Sequence, residues 1–282
     1  MSRGDAVRET DRFPASADGT VGRLPHPFTL TWRDGLFLHW PVDPDILRPH
    51  VPHPLTLDTW EGRAWVSVVP FVASNAGLRY TPRFLRYTTA ELNVRTYVSY
   101  RGEPGLYFFG VDVDSAAIAS VVGRLTRLPV RCARMHVSRT EGTAPHGGNS
   151  VSFASTRDGT TAPATRSGPD ESGDSEARFA VTYEPDDAIT FAEPGTRAEW
   201  LTDRRRFYAP GGARTAGATR HPNVLVGEIA HAPWPLQSAA VTLHENTLFA
   251  AHGLPAPEAE PIAQYCPELR MTASIPRRVR DW

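Results

Sequence analysis

The chain has 282 residues, of which 40% are hydrophobic and 22% are charged, and its formal net charge at pH 7 is −1. This length and composition suffice for a sizeable core, and one barrel-like or sandwich-like β domain takes up roughly 200–250 residues. The near-zero charge creates no extended field that would attract nucleic acid or an anionic membrane. No apolar run approaches the roughly 18 residues that span a bilayer, so we expect a cytoplasmic protein with neither kind of partner.

All 30 basic residues are arginines, because the sequence contains no lysine. A guanidinium stays protonated, so chemistry that needs a neutral lysine amine as nucleophile is excluded. The two cysteines, Cys132 and Cys266, lie far apart without a CxxC spacing, which argues against a disulfide framework and a structural zinc site. The ten histidines do not cluster at metal-ligand spacing, and the sequence has no phosphate-binding glycine motif or nucleophile elbow. We therefore predict no metal site and no cofactor.

Three regions follow from composition along the chain. Residues 1–23 are polar and have almost nothing to bury, which is typical of a disordered tail. Residues 24–282 are predicted to form a single domain. Within it, residues 158–176 consist mainly of Gly, Ser, Thr, Pro and Asp without an apolar anchor, so we expect a disordered insert at the tip of a hairpin.

The first half of the domain shows strand and turn signals in close succession. Residues 29–40 have strand composition, and Asp34-Gly35 indicates a turn or bulge inside this strand. Asp43-Pro44 is typical of a helix N-cap followed by proline at the first helical position. Residues 60–63 predict a hairpin loop between the strands on either side, and residues 73–88 are predicted to be a long loop.

A long hairpin is predicted next, from strands 91–98 and 106–113 around a turn rich in glycine and proline. Ser115 is a predicted N-cap for a helix whose apolar spacing continues to Leu128. Thr196 and Glu199 have the spacing of a capping box. Further strands are predicted at residues 130–138, 150–156, 178–184, 206–209, 225–230, 239–244 and 262–275. About a dozen strands and three or four short helices indicate an antiparallel, β-rich (α+β) fold.

The strand at residues 91–98 separates its side chains into two chemical classes. Successive side chains of a strand point to opposite faces, so Leu92, Val94, Thr96 and Val98 share an apolar face. Glu91, Asn93, Arg95 and Tyr97 share the other face. Two interpretations remain open: a solvated surface strand, or a polar face that lines an interior site.

Six stretches, in the same order along residues 28–275, resemble the YqjF-like family, also called DUF2071. The stretches are WRDGLFLHWPV at Trp32–Val42, WEGRAWVSVVPF at Trp60–Phe71, ELNVRTYV at Glu91–Val98, PGLYFFGVD at Pro104–Asp112, GEIAHAPWPLQ at Gly227–Gln237 and ENTLFAAHGLP at Glu245–Pro255. This family is grouped with the acetoacetate decarboxylase-like superfamily. The resemblance therefore implies an antiparallel, closed or cone-shaped β-barrel with a few short helices outside and an interior that holds a site.

The resemblance does not extend to the decarboxylase reaction. Acetoacetate decarboxylases form a Schiff base between a lysine and a keto acid, and this chain has no lysine. Decarboxylation through such an imine is therefore excluded, and no decarboxylase residue is carried over by number. The resemblance therefore predicts an interior cavity but not the decarboxylase reaction, and whether the protein is an enzyme stays open.

Inside such a barrel, the polar face of strand 91–98 forms the candidate site. Glu91 and Arg95 lie roughly 13 Å apart along the strand, so Arg95 needs another counter-charge or an anionic ligand. We hypothesise that Arg95 binds a carboxylate-like group, that Glu91 acts as acid/base, and that Asn93 and Tyr97 orient the ligand. Further candidate ligand-binding residues are His39, Tyr107, Tyr208, His231 and Trp234.

Three functions are consistent with this site. The leading one is a protein that binds a small molecule, and the second is a lysine-independent lyase or hydrolase that uses Glu91 for proton transfer. The third is a structural or interaction protein with a filled core, in which the polar face is a buried network that fixes strand register. Homo-oligomers are compatible with all three.

Overall fold

A computed structural model describes residues 25–140, 149–159, 176–211 and 224–279. The strands in these residues are β1 (Phe28–Val42), β2 (Thr56–Leu57), β3 (Ala64–Leu78), β4 (Tyr87–Tyr100), β5 (Glu103–Val113), β6 (Val130–Cys132), β7 (Arg134–Thr140), β8 (Ser150–Arg157), β9 (Ala177–Pro185), β10 (Arg206–Pro210), β11 (Val224–His231), β12 (Gln237–Asn246), β13 (Ile262–Ala273) and β14 (Arg277–Arg278). The α-helices are α1 (Pro44–Leu47), α2 (Ala116–Thr126), α3 (Arg197–Thr202) and α4 (Leu248–Ala251). The predicted tail and most of the predicted insert lie outside the described residues.

The strands join into one largely antiparallel sheet. Its order is β14-β11-β10-β5-β4-β3-β1-β13-β12-β9-β8-β7, with β2 paired to β4 and β6 paired to β5. The pairings of β5 with β6 and with β10 are parallel. Strand β11 pairs with β10 and also with β13. The prediction of an antiparallel, β-rich fold with few short helices is confirmed, and no helix in the described ranges has the length and apolarity needed to cross a membrane.

Both faces of the central strands are buried. The even-numbered face of β4 contributes Leu92 and Val94 to a core that includes Trp40 of β1 and Phe153 and Phe179 of the β8-β9 hairpin. The odd-numbered face is also covered, since Asn93 is 3% exposed, Arg95 6% and Tyr97 0%. The two-class division of the strand is therefore confirmed, and the alternative of a solvated surface strand is wrong.

Helix caps predicted from the sequence are present where expected. The Asp43 side chain accepts a hydrogen bond from the Asp45 amide at the start of α1, and Ser115 caps α2 in the same way. Thr196 caps α3, but the Glu199 carboxylate accepts from the Gly195 amide and not from Thr196. These caps satisfy free amides of the first helical turn, so local chemistry alone located the helices.

Two predictions about β3 and its neighbours are wrong. Residues 73–88 are not one long loop, because β3 continues to Leu78 and β4 begins at Tyr87. The Arg86 guanidinium closes the short connection by donating to three backbone carbonyls within residues 75–79. The strand before residues 60–63 pairs with β4 and not with β3, so the tight turn at these residues does not join two paired strands.

Candidate functional site

Strand register brings three polar side chains into one row across β1, β3 and β4. His39 of β1 lies opposite Ser67 of β3, and Ser67 lies opposite Arg95 of β4. Residues opposite each other in adjacent strands share a face and have neighbouring side chains. The three residues are therefore neighbours on the face that also carries Asn93 and Tyr97.

A buried hydrogen-bond network connects this row to α3. His39 Nδ1 lies 2.7 Å from Ser67 Oγ, and Ser67 Oγ lies 2.7 Å from the Tyr97 hydroxyl oxygen. The Tyr97 hydroxyl donates to the Leu201 carbonyl at 2.8 Å. Burial, followed by the charge of Arg95, lowers the pKa of His39 to about 3, so the imidazole is neutral at physiological pH.

Arg95 is the main cation of the site. Its guanidinium carbon lies 5.6 Å from the centroid of the Phe37 ring. Burial lowers the pKa of Arg95, and interactions with Tyr97 and the charge of Glu91 oppose this shift. Its Nε atom is buried and has no hydrogen-bond partner among the residues that the structure describes. Within the described residues, no carboxylate lies within ion-pair distance of Arg95.

Glu91 lies on the same face of β4, toward the N-terminal end of the strand. Burial raises its pKa to about 7, although a hydrogen bond from Asn93 and the charge of Arg95 favour the ionised form. The Asn93 amide nitrogen donates to Glu91 Oε1 at 3.5 Å, which is a long hydrogen bond. Desolvation therefore outweighs both favourable interactions, and near neutral pH the carboxyl group exchanges between its two protonation states.

Aromatic rings form one wall beside Arg95. The Trp234 ring packs edge-on against Phe37, with 5.0 Å between their centroids, and lies 4.5 Å from the His231 ring. Trp234 Nε1 donates to the Thr202 carbonyl. His231 Nδ1 lies 2.7 Å from the Ala232 carbonyl oxygen, an acceptor only, so the proton is on Nδ1. Burial and the charge of Arg205 lower the pKa of His231.

Tyr107 and Tyr208 do not join this group. Tyr208 is buried with Val98 and donates its hydroxyl to the Glu103 carbonyl, and Tyr107 packs against the same cluster. The register explains the separation, because Tyr107 lies opposite Thr96, on the face of β4 that points away from Arg95. The structure thus brings together Glu91, Asn93, Arg95, Tyr97, His39, His231 and Trp234, and places the two other tyrosines elsewhere.

Two polar residues of the site were not identified in the sequence. Ser67 joins His39 to Tyr97, and Gln264 of β13 lies opposite Phe37 on the same face. Ser67 carries a recognisable signal, since it is the one polar side chain in the apolar stretch Trp65–Phe71. Gln264 carries none, because only the pairing of β13 with β1 places it beside the site.

A cavity of about 430 Å³ lies outside this group. Its lining includes Val72 and Ala90, which occupy the opposite face from Glu91, and the Asp34–Arg139 ion pair. None of the predicted site residues lines it. In the described ranges, no three His, Cys, Asp or Glu side chains are grouped so that they could hold a metal ion.

Comparison with known proteins places the chain in a family. A family model for DUF2071, described as an uncharacterised conserved protein, matches residues 29–270. The protein belongs to the DUF2071 family. The chain is 37% identical over 237 residues to the uncharacterised protein YqjF of Bacillus subtilis, covering 83% of this chain and 85% of YqjF. The family resemblance expected from the six motifs is confirmed.

Solved structures similar to this DUF2071 protein are acetoacetate decarboxylase-like. The enduracididine biosynthesis enzyme MppR, complexed with pyruvate, superposes with a TM-score of 0.62 at 16% identity, over 94% of each chain. Acetoacetate decarboxylase from Legionella pneumophila has a TM-score of 0.57 at 13% identity, over 96% of this chain and 94% of its own. An acetoacetate decarboxylase-like enzyme from Sphingomonas wittichii has a TM-score of 0.55 at 16% identity, over 95% and 100%. At these identities the likeness establishes the fold alone.

Proposed function

We propose that this DUF2071 protein binds a small carboxylate-bearing molecule, with Arg95 as the partner of the carboxylate. The observation that carries the proposal is the buried guanidinium of Arg95, which has no carboxylate within ion-pair distance among the described residues. Burying an unpaired cation costs several kcal/mol. A carboxylate ligand offsets that cost, because it accepts two parallel hydrogen bonds from a guanidinium.

We also propose that the site is enclosed by a barrel of β1, β3, β4, β5, β10, β11 and β13. The pairing of β11 with both β10 and β13 supports closure, since each of the seven strands then has a neighbour on both sides. The acetoacetate decarboxylase-like neighbours support the same architecture. Pyruvate, bound by MppR, is a small carboxylate of the class proposed here.

A lysine-independent lyase or hydrolase is the second candidate function. The observation that favours it is the raised pKa of Glu91, about 7, because a proton-transfer group works best when its pKa is near the operating pH. Four residues along a strand span roughly 13 Å, so a substrate held by Arg95 reaches Glu91 only if it extends along β4 past Asn93. A protein that only binds a carboxylate at Arg95 does not require a ligand of that length.

The test uses Arg95→Met, which keeps the length of the side chain but removes its charge. We expect a panel of small carboxylic acids to raise the melting temperature of the wild type and to leave that of Arg95→Met unchanged. Without ligand, Arg95→Met should be as stable as the wild type or more stable, because an unpaired buried charge is removed. Arg197→Met is the matched control, since Arg197 is exposed above the Trp65 ring.

The structural interpretation makes the opposite prediction for the same variants. If the polar face is a complete internal network, Arg95→Met loses stability without ligand, and no acid raises the melting temperature of the wild type. That pair of results would overturn the proposed function. Retained acid-dependent shifts in Arg95→Met would overturn the role of Arg95.

A further inference from the structure

The hydrogen-bond network behind Arg95 has a defined direction that begins at α3. The Leu201 carbonyl can only accept, so the proton of the Tyr97 hydroxyl points toward it. The Tyr97 oxygen is then left as an acceptor. Arg95 interacts with it, and its other polar neighbours are Ser67 Oγ at 2.7 Å and His39 Nδ1 at 3.2 Å.

Ser67 has a single hydroxyl proton and two short contacts. If it donates to His39 Nδ1, two pairs of lone-pair atoms face each other: Ser67 Oγ with the Tyr97 oxygen, and the Tyr97 oxygen with Nδ1. If it donates to Tyr97, Nδ1 carries a proton that it donates to Ser67, and every contact joins a donor to an acceptor. The second arrangement is favoured because a buried lone-pair contact is left without compensation.

The proton of neutral His39 therefore belongs on Nδ1, and Nε2 presents a lone pair. His39 is fully buried, and within the described residues its Nε2 has no hydrogen-bond partner. Gln264 lies near the imidazole and favours its charged form, but no hydrogen bond of standard geometry joins the two side chains.

Two further acceptors near this site are also buried without a donor in the described part of the chain: Gln264 Oε1 and Asn93 Oδ1. All three acceptor residues share the face of Arg95, since Gln264 lies opposite Phe37 and His39 lies in one row with Ser67 and Arg95. His39 and Arg95 are two strands apart, roughly 10 Å between backbones, a span that suits a molecule of a few carbons. The cation, Arg95, and these three acceptors are complementary to an anion that also carries hydrogen-bond donors.

We propose that His39 Nε2 accepts a hydrogen bond from a ligand hydroxyl group, so that the site selects small hydroxycarboxylic acids over the same acids without the hydroxyl. This inference rests on the proposed function, because it takes the carboxylate partner to be Arg95. The Ser67–Tyr97 pair acts as a positioning element, since it fixes the imidazole tautomer without touching the ligand. A site built to pair with a hydroxyl rejects the analogue that lacks it, because its acceptor is then left unpaired.

The first part of the test needs no ligand. Nitrogen-15 NMR of the histidine-labelled protein distinguishes a protonated ring nitrogen from one with a lone pair. We expect His39 to be protonated on Nδ1 in the wild type, and this preference to be lost in the double variant Ser67→Ala/Tyr97→Phe, which removes both acceptors of the Nδ1 proton. His231 is the internal reference, because the Ala232 carbonyl holds its proton independently of Ser67. A wild-type protein with the proton of His39 on Nε2 would overturn the inference.

The second part compares acids that differ by one hydroxyl, such as 2-hydroxypropionate and propionate, by calorimetry. We expect the wild type to bind the hydroxy acid at least tenfold more tightly, and this ratio to approach one in Ser67→Ala/Tyr97→Phe. Ser74→Ala is the matched control, because Ser74 is in the same strand and donates to the Thr31 carbonyl, away from His39. Circular dichroism verifies that each variant is folded.

The outcomes separate the inference from the proposed function. If both acids of a pair bind the wild type equally and both are lost in Arg95→Met, the carboxylate site stands and the role of His39 is overturned. If the hydroxy acid is favoured equally in wild type and Ser67→Ala/Tyr97→Phe, the positioning role of the Ser67–Tyr97 pair is overturned. If no acid in a panel of such pairs binds, the proposed function and the inference both fail.

Discussion

At the scale of single residues, the site is governed by desolvation. The pKa values of Arg95 and His39 are lowered and that of Glu91 is raised, so each shift favours the neutral form. In each case burial is the largest cause. The charges of Arg95 and Glu91 attract each other, yet this attraction does not overcome the loss of water. Of the three, Glu91 is the group whose pKa lies near neutral pH.

Glu91 gives a prediction about stability and pH. Its folded-state pKa is about 7, above the value of about 4.3 in an unfolded chain. The folded state thus binds the proton more tightly, and this stabilisation is lost as the pH rises from about 4.3 through 7. Glu91→Gln mimics the protonated form, so its stability relative to the wild type should increase by about 2 kcal/mol between pH 5 and pH 8.

Chemical denaturation at both pH values measures this difference. The full pKa shift corresponds to about 4 kcal/mol, and the smaller expectation reflects the pH range covered and the partial accessibility of Glu91. Glu258→Gln is the control, because Glu258 is exposed and its substitution should give no pH-dependent difference. An equal pH dependence of Glu91→Gln and the wild type would show that Glu91 is ionised throughout this range.

At the scale of strands, two bulges decide which side chains meet. In β1, one extra residue at Asp34-Gly35 separates the stretch paired at Arg33 from the stretch paired at Leu38. In β5, Phe109 is extra between the partners of Val94 and Arg95. Each bulge exchanges the two faces of its strand. Without the second bulge, Tyr107 would share a face with Arg95.

A buried ion pair joins β5 to β8. The Arg157 guanidinium contacts Asp112 at 2.5 Å, and both side chains are less than 5% exposed. Removing one partner of such a pair costs about 3–5 kcal/mol, because the other is left buried and uncompensated. We expect Arg157→Met to lower the free energy of unfolding by this amount, and Arg157→Met combined with Asp112→Leu to recover most of the loss.

Arg134→Ala is the control for this pair. Arg134 contacts Asp158 at 2.8 Å, but the two side chains are 73% and 51% exposed, so the loss should stay below about 1 kcal/mol. Urea denaturation of the three variants measures the differences. A cost for Arg157→Met no larger than that for Arg134→Ala would show that the pair does not hold β5 to β8.

At the scale of the whole molecule, buried histidines set the response to acid. Burial lowers the pKa of His39 and His252 to about 3 and lowers that of His231 as well. An unfolded histidine has a pKa of about 6.5, so unfolding below that pH takes up protons. The stability that these three residues provide is complete above pH 6.5 and is lost progressively as the pH falls toward 3. Glu91 has the opposite effect, because its raised pKa means that unfolding in this pH range releases a proton.

The three histidines and Glu91 together take up about two protons on unfolding near pH 5.5. The free energy of unfolding therefore falls by about 3 kcal/mol for each unit by which the pH decreases. We expect His252→Gln to reduce this slope by about one proton, because its neutral side chain stays neutral in both states. His244→Gln is the control, since His244 is exposed, and should leave the slope unchanged. Unfolding curves between pH 5 and 7 measure it, and a flat wild-type profile would contradict the prediction.

The local features of this protein follow directly from its amino-acid sequence. The period of two in β4 separated Leu92 and Val94 from Asn93, Arg95 and Tyr97, because alternation is a property of any extended strand. Hydroxyl and carboxylate side chains before apolar helical stretches located the helix starts. The absence of lysine excluded imine chemistry on a lysine side chain from composition alone.

Which residues are neighbours in the site depends on the pairing of distant strands. His39, Ser67 and Arg95 are 28 residues apart at each step along the chain, and register across three strands is what places them in one row. No local sequence signal specifies that register. The bulge at Phe109 places Tyr107 opposite Thr96, on the face of the sheet that points away from Arg95. Burial of both faces of β4 is likewise a tertiary property. The sequence predicts that these polar groups share one face of the strand, but not that this face is buried. Burial removes water from the groups and shifts their pKa values in the direction that favours the neutral form.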